Sequence, residues 1–151
     1  MIQTAMLAEK ENSSKSLVCA CLLHDIGHFI IEDPDFLVSK FIDGKHEEIA
    51  FNFLNNYFKE EVSEPIKLHV QAKRFLCMNN SYYNELSEAS KTILKLQGGK
   101  MNEKEAEKFT LLKYYQDAIK LRKYDDKGKK TNIKIKNICE YKELVTEQLL
   151  N

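Results

Sequence analysis

The sequence predicts an all-α bundle built around a two-metal site. Three observations carry that prediction. Strand-type alternation is nearly absent along the 151 residues, and apolar side chains recur instead at three- and four-residue spacing. Gly and Pro are few, at 5 and 2, which leaves little of the punctuation a many-stranded fold needs. The segment HDIGH, residues 24–28, closes the apolar run LVCACLL and so places metal-ligating chemistry at a buried helix end.

The elements follow in order. A first short helix is expected over residues 2–10. Ser13 and Ser14 can cap a second, which runs through Leu17, Ala20 and Leu23 to the histidines. Residues 29–43 contain Asp33, Pro34, Asp35 and the pair Asp43-Gly44, and read as a loop with at most one helical turn. A third helix spans 45–58, with Ile49, Ala50, Phe53, Leu54 and Tyr57 as its apolar stripe. Pro65 suits the first turn of a fourth helix carrying Ile66, His69, Val70, Lys73 and Leu76. MNNSYYNE, residues 78–85, reads as a polar loop. Ser87 can cap a fifth helix that ends near Leu96, before Gly98-Gly99. Asn102 starts a long sixth helix ending near Tyr124. The Lys-rich stretch 126–136 is expected to be an exposed loop, and 137–150 a last helix.

Length argues for one domain, and 43% hydrophobic residues suffice for its core. Lys+Arg and Asp+Glu are each 23, so the formal net charge is zero. That balance speaks against a nucleic-acid partner. It leaves open a small anionic substrate, because a sum hides a local basic pocket. Cys19, Cys21, Cys77 and Cys139 form no CxxC pair and read as reduced thiols of a cytoplasmic protein. Glu9, Lys10 and Glu11 precede any long apolar stretch, so no signal peptide is expected. No run reaches the roughly 18 apolar residues of a membrane span.

The chemistry concentrates on histidines and acids. His24 and His28 are four apart and would share a helical face, with Asp25 a third of a turn away. A carboxylate can bridge two metals while the imidazole beside it binds one of them. His46 in GKHEEIA and His69 in HVQAK would complete the set from two further helices. Each alone would pass for an ordinary helix histidine. Asp125 and Asp126 end the sixth helix, where the partly negative helix terminus disfavours acids unless cations are near. Of the two, Asp125 is the candidate ligand. Lys73 and Arg122 lie about one turn from His69 and Asp125. Cations so close to a metal cluster require an anion between them, and a phosphate or phosphonate would serve. His and carboxylate ligands with open positions suit iron. Ser90 and Gln97-Gly98-Gly99 are weaker signals, since such glycines can simply end a helix.

LLHDIGH resembles the signature of the HD-domain superfamily, all-helical metal-dependent proteins that are mostly phosphohydrolases with a few di-iron oxygenases. KHEEIAFNFL, IKLHVQAKRFL, LSEAS, LQGGKM and LRKYDD, in that order, are similar to the phosphonate-degradation oxygenases of that superfamily. The resemblance runs from about Gln3 to the C-terminus and implies a single HD domain over residues 1–151. It implies two iron ions (Fe2+/Fe3+) and dioxygen as co-substrate. The reaction implied is cleavage of the carbon–phosphorus bond of 2-amino-1-hydroxyethylphosphonate or its trimethylammonio analogue, giving phosphate and glycine or its N-methylated counterpart.

Carried over by position, the resemblance makes His24, Asp25 and Asp125 ligands of one iron. Asp25 bridges to the second, which also takes His46 and His69. Lys73, Ser90 and Arg122 match positions that hold the phosphonate, and His28 matches a histidine beside the substrate. His28 and Lys73 are accordingly the candidate catalytic residues. The family carries one more ligating His, in a segment resembling HALQTAxLAE, where this chain reads MIQTAMLAE. That His would stand immediately before Met1, so the chain is expected to be shortened there relative to the family. Two other readings use the same residues: a metal-dependent phosphohydrolase, and a non-catalytic HD protein that binds an anionic ligand.

Overall fold

A computed structural model describes residues 1–30 and 45–150 of the chain. The expected loop through Asp33, Pro34, Asp35 and Asp43-Gly44 lies largely outside the described residues. The helices are α1 (Ile2–Lys10), α2 (Lys15–Leu23), α3 (Gly27–Ile30), α4 (His46–Leu54) and α5 (Glu60–Leu76). They continue as α6 (Asn80–Glu85), α7 (Glu88–Leu96), α8 (Glu103–Thr110), α9 (Tyr115–Lys127) and, after a 3-10 turn at Ile138–Tyr141, α10 (Lys142–Thr146). Among the described residues there is no strand, only an isolated bridge between Phe58 and Leu149. No described helix is long and apolar enough to cross a membrane.

The bundle is organised on α5, which packs against α2, α4 and α9. Its buried face repeats at helical spacing through Val62, Ile66, His69 and Lys73, so two polar groups share the stripe that holds the core. In α2, Leu17 through Leu22 are all buried, because α1, α5 and α9 surround it. A helix apolar on every side belongs in an interior, and it carries His24 at its C-terminal end inward with it. Ser14 begins α2 by accepting the Leu17 N–H at 3.2 Å. One core cluster joins α1, α2, α4, α5 and α9 through residues such as Ala5, Leu17, Leu54, Ile66 and Leu121. A second joins Leu68 and Ala72 to Phe109, Tyr114 and Ala118.

Four sequence expectations are corrected. The fourth helix begins at Glu60, so Pro65 lies inside it rather than in its first turn. Proline forfeits the hydrogen bond to the Glu61 carbonyl, while Glu60 and Glu61 favour the helix start through the macrodipole. Residues 80–85 are helical because the Asn79 side chain accepts the N–H groups of Ser81 and Tyr82. The sixth helix is two, broken at 111–114. Phe109 and Tyr114 share one apolar cluster but are five residues apart, a spacing that an unbroken helix would send to different faces. The last segment is a 3-10 turn and a short helix, after which Leu150 N–H donates to the Tyr57 carbonyl at 2.8 Å.

The HDIGH corner is also not one helix. Ile26, His28 and Phe29 each bond back three residues, to Leu23, Asp25 and Ile26, so α2 gives way to a tight turn at 24–26 before α3 begins at Gly27. The turn breaks the helical register, so positions four apart across it need not share a face. His24 and His28 therefore separate, and His24 is fully buried while the His28 side chain is 54% exposed. Gly27 has a specific reason to be there. A Cβ at that position would lie 2.0 Å from the His46 backbone carbonyl oxygen. Glycine permits the close approach of α3 to the start of α4, which seats His46 beside Asp25. Gly27→Ala should lose about 2–3 kcal/mol of stability from overpacking, or roughly 5–10 °C in Tm by calorimetry, and should weaken metal binding because His46 is displaced.

Candidate metal centre

Five stretches deliver the site: the end of α2, the corner that follows it, the start of α4, and the facing parts of α5 and α9. The His24 Nδ1–H donates to the Cys21 carbonyl at 2.9 Å, and the His69 Nδ1–H to the Ile66 carbonyl at 2.6 Å. A carbonyl can only accept, so each ring carries its proton on Nδ1 and presents Nε2 inward. Holding the outer nitrogen in this way is how metal-binding imidazoles are oriented. His24 Nε2 is buried and in hydrogen-bond geometry with nothing. Even so, it lies 3.2 Å from Asp25 Oδ2 and 3.5 Å from Asp125 Oδ1. His46 Nε2 is 3.1 Å from His69 Nε2 and 3.9 Å from Asp25 Oδ1. Beyond the His46 ring, Glu47 Oε2 stands 3.5 Å from Nδ1.

These donors form two groups, His24–Asp25–Asp125 and Asp25–His46–His69, each with its ligating atoms within 4.8 Å of one another. Asp25 belongs to both. Nitrogen and oxygen ligands sit about 2.0–2.2 Å from a transition metal, so neighbouring donors in tetrahedral or octahedral sites lie roughly 2.8–3.6 Å apart. The separations of 3.1, 3.2 and 3.5 Å fall in that range and the 3.9 Å contact lies just outside it. The orphaned His24 nitrogen, aimed between two carboxylates, is the observation that best fits a bound cation.

The electrostatics agree with this fit. Burial disfavours a charged His24, but Asp125 and Asp25 outweigh it and raise its pKa to about 9. Burial likewise opposes ionised Asp25 and Asp125, yet His24 holds both well below the usual carboxylate range, with Arg122 and Lys129 helping at Asp125. His46 is pulled down to about 4 by burial and by His28. Burial and the neighbouring histidines hold His69 low as well. At neutral pH the second group therefore offers two neutral imidazoles and an ionised carboxylate.

The remaining candidates lie around this centre. The His28 ring stacks on His46 with centroids 4.1 Å apart, and its Nε2 is 4.0 Å from Asp25 Oδ1, outside both ligand groups. Lys73 is 3% exposed and donates to Gln97 Oε1 at 3.2 Å; burial, with Arg122 nearby, brings its pKa down to about 8. Arg122 pairs with Asp125 at 3.0 Å and with Asp126. Ser90 is half-buried at the start of α7, and among the described residues no hydrogen bond joins it to Lys73 or Arg122. It lines a cleft of about 550 Å³ together with Tyr82, Ser87, Lys123, Asp126 and Lys127.

Tyr82 and Lys129 were not singled out by sequence, and Asp126 was weighed there only as the alternative to Asp125. Asp126 and the Tyr82 hydroxyl bond to each other, and both engage Arg122 Nε, at 3.3 and 3.4 Å. Lys129 Nζ stands 3.4 Å from Asp125 Oδ2. Asp126 and Lys129 are each four residues beyond their partner, so helical spacing held that signal. Nothing local pointed to Tyr82.

The HD domain profile matches residues 1–123. The chain belongs to the HD domain family. This HD protein is 39% identical over 145 residues to the hydroxymethylphosphonate dioxygenase of Gimesia maris, an alignment covering 93% of the chain and 71% of that protein. It is 34% identical over 146 residues to the [1-hydroxy-2-(trimethylamino)ethyl]phosphonate dioxygenase (glycine-betaine-forming) of Leisingera caerulea, covering 96% and 74%. An uncharacterised protein of Acanthamoeba polyphaga mimivirus is 34% identical over 152 residues, covering 99% and 69%.

Metal binding by this HD domain should be linked to pH through His24. Its pKa of about 9 lies above the unfolded value near 6.5. The proton therefore stabilises metal-free protein below pH 6.5, and that contribution fades as the pH rises towards 9. A metal must displace this proton, so the apparent affinity for Mn2+ should rise about tenfold per pH unit between roughly pH 6 and 8, with one proton released per ion in calorimetry.

Proposed function

We propose that this HD protein is a di-iron oxygenase that cleaves the carbon–phosphorus bond of a small 1-hydroxyalkylphosphonate in the cytoplasm. The observation that carries the reading is the pair of donor groups joined through Asp25. Two irons held by His24, Asp25 and Asp125 on one side and Asp25, His46 and His69 on the other account for the buried acids and the orphaned nitrogen. Both named relatives act on phosphonates with a hydroxyl on the phosphorus-bearing carbon. Hydroxymethylphosphonate, 1-hydroxy-2-aminoethylphosphonate and its N-methylated analogue are the substrates to compare.

When bound, the irons supply activation of dioxygen and of the substrate hydroxyl. The chain does the rest. Lys73 and Arg122 bind the phosphonate, and Ser90 closes over it from the start of α7. Together they fix the hydroxylated carbon relative to Asp25, which is the positioning on which such a reaction depends. His28 Nε2, beside the shared carboxylate and half open to solvent, accepts the hydroxyl proton and passes it to water. The buried walls provided by His24 and His69 keep bulk water from the centre. One dioxygen is consumed per phosphate released, and both of its oxygen atoms end in the carboxylate and phosphate products.

The test is anaerobic loading with ferrous iron, followed by each phosphonate and oxygen, with oxygen uptake and phosphate measured together. Equal amounts of the two are expected. Phosphate released from a phosphate ester without oxygen, using manganese, would instead assign a phosphohydrolase. Asp25→Ala should reduce bound iron from near two per chain to below one and lower phosphate release by about 10³-fold or more, since both groups lose their common ligand.

A further inference from the structure

Lys73 and Arg74 are neighbours on α5, and both hold the turn that follows α7. Lys73 Nζ donates to the Gln97 side chain at 3.2 Å. Arg74 grips the backbone just beyond, with Nε donating to the Gly99 carbonyl at 3.0 Å and Nη2 to the Gly98 carbonyl at 3.4 Å. The same Nη2 reaches Glu105 Oε1 at 2.7 Å. The other oxygen of Glu105 accepts the Asn102 N–H at 2.9 Å, and Met101 N–H returns to the Arg74 carbonyl at 3.2 Å. One guanidinium thus ties α5, the end of α7 and the start of α8 together.

The turn is built to lie against that guanidinium. Gly98 has φ +94°, a conformation L side chains rarely adopt, and a Cβ there would stand 3.4 Å from Arg74 Cζ. The carbonyls being gripped follow a helix C-terminus, where a cation is favoured. Arg supplies two donors in a fixed fork, which fixes the direction of the turn as well as its distance.

Among the described residues, Gln97 is the hydrogen-bond acceptor of the Lys73 ammonium, which is almost wholly buried. An ammonium has three donors, so two remain for an anion, and where they point depends on where Gln97 holds the third. The geometry points to Arg74 as a positioning residue that acts through Gln97 to aim Lys73 at the anionic group of the ligand. The inference rests on the oxygenase reading only in taking Lys73 as an anion-binding residue. Arg74 itself touches neither the metal-ligand groups nor the 550 Å³ cleft.

The test uses methylphosphonate, an unreactive anion, bound to the manganese-loaded protein and followed by calorimetry. Arg74→Met should weaken its binding about tenfold while metal content stays at the level of the unaltered protein. Gln97→Ala should weaken it to a similar degree. The double variant should lose less than a further twofold, because Arg74 acts through Gln97. Arg74→Lys, which keeps the charge but loses the fork, should recover only part of the affinity. If Arg74→Met does not fold, Glu105→Gln decides: it removes the ionic tether on Arg74 while keeping a capping partner for Asn102, and should weaken binding about threefold, an effect absent in the Gln97→Ala background. Fully multiplicative losses would overturn the inference, as would a lower Tm with unchanged methylphosphonate affinity, or no methylphosphonate binding by the unaltered protein. Failure to turn over any hydroxyphosphonate would count against the oxygenase reading alone, since the binding measurement needs no reaction.

Discussion

The structure depends on one carboxylate that serves two clusters at once. Asp25 lies at a corner where α2 ends, so it reaches back to His24 and forward to His46. An ionised acid and several imidazoles in a protein interior are costly unless they compensate one another. Here they do so in a chain. His24 faces Asp25 and Asp125, Asp125 faces Arg122 and Lys129, and Arg122 faces Asp126 and Tyr82. Removing one member leaves its neighbour as a buried charge without a partner, which is more damaging than losing a single contact. A metal ion between the donors would relieve the same tension from the other side, by giving the carboxylates a cation in place of the His24 proton.

The helices can be understood as the means of bringing these groups together. α2 is buried on all sides, and its register fixes how deep His24 sits. α5 carries His69 and Lys73 one turn apart on the face that also packs the core, so site and core are built by the same stripe. α9 does likewise with Leu121, Arg122 and Asp125. Shifting any of these helices to improve packing would move the ligands, and stability and chemistry are coupled for that reason.

Much of this was legible in the sequence because it was local. The helical class followed from spacing, and the starts of α2 and α7 followed from the cap residues Ser14 and Ser87. His24 and Asp25 stood out through their adjacency at the end of an apolar run. Asp125 was set apart from Asp126 by the family resemblance; in the structure both acids pair with Arg122, while Asp125 also faces His24 and Asp126 also bonds to Tyr82. What stayed hidden was non-local. The break at 111–114 depends on Phe109 and Tyr114 meeting the same partner, which no window of sequence contains. Tyr82 was invisible because its segment reads as polar loop until the Asn79 cap is recognised. The reason for Gly27 was hidden for the same cause: it accommodates the backbone of His46, which is distant in sequence.

The turn at the HDIGH corner has a consequence for how the two halves of the centre meet solvent. Among the described residues, His24 and His69 are sealed and Asp125 nearly so, whereas Asp25 is about one-third exposed and His28 more than half. The corner is thus a border between a dry compartment and a wet one, with Asp25 standing on it.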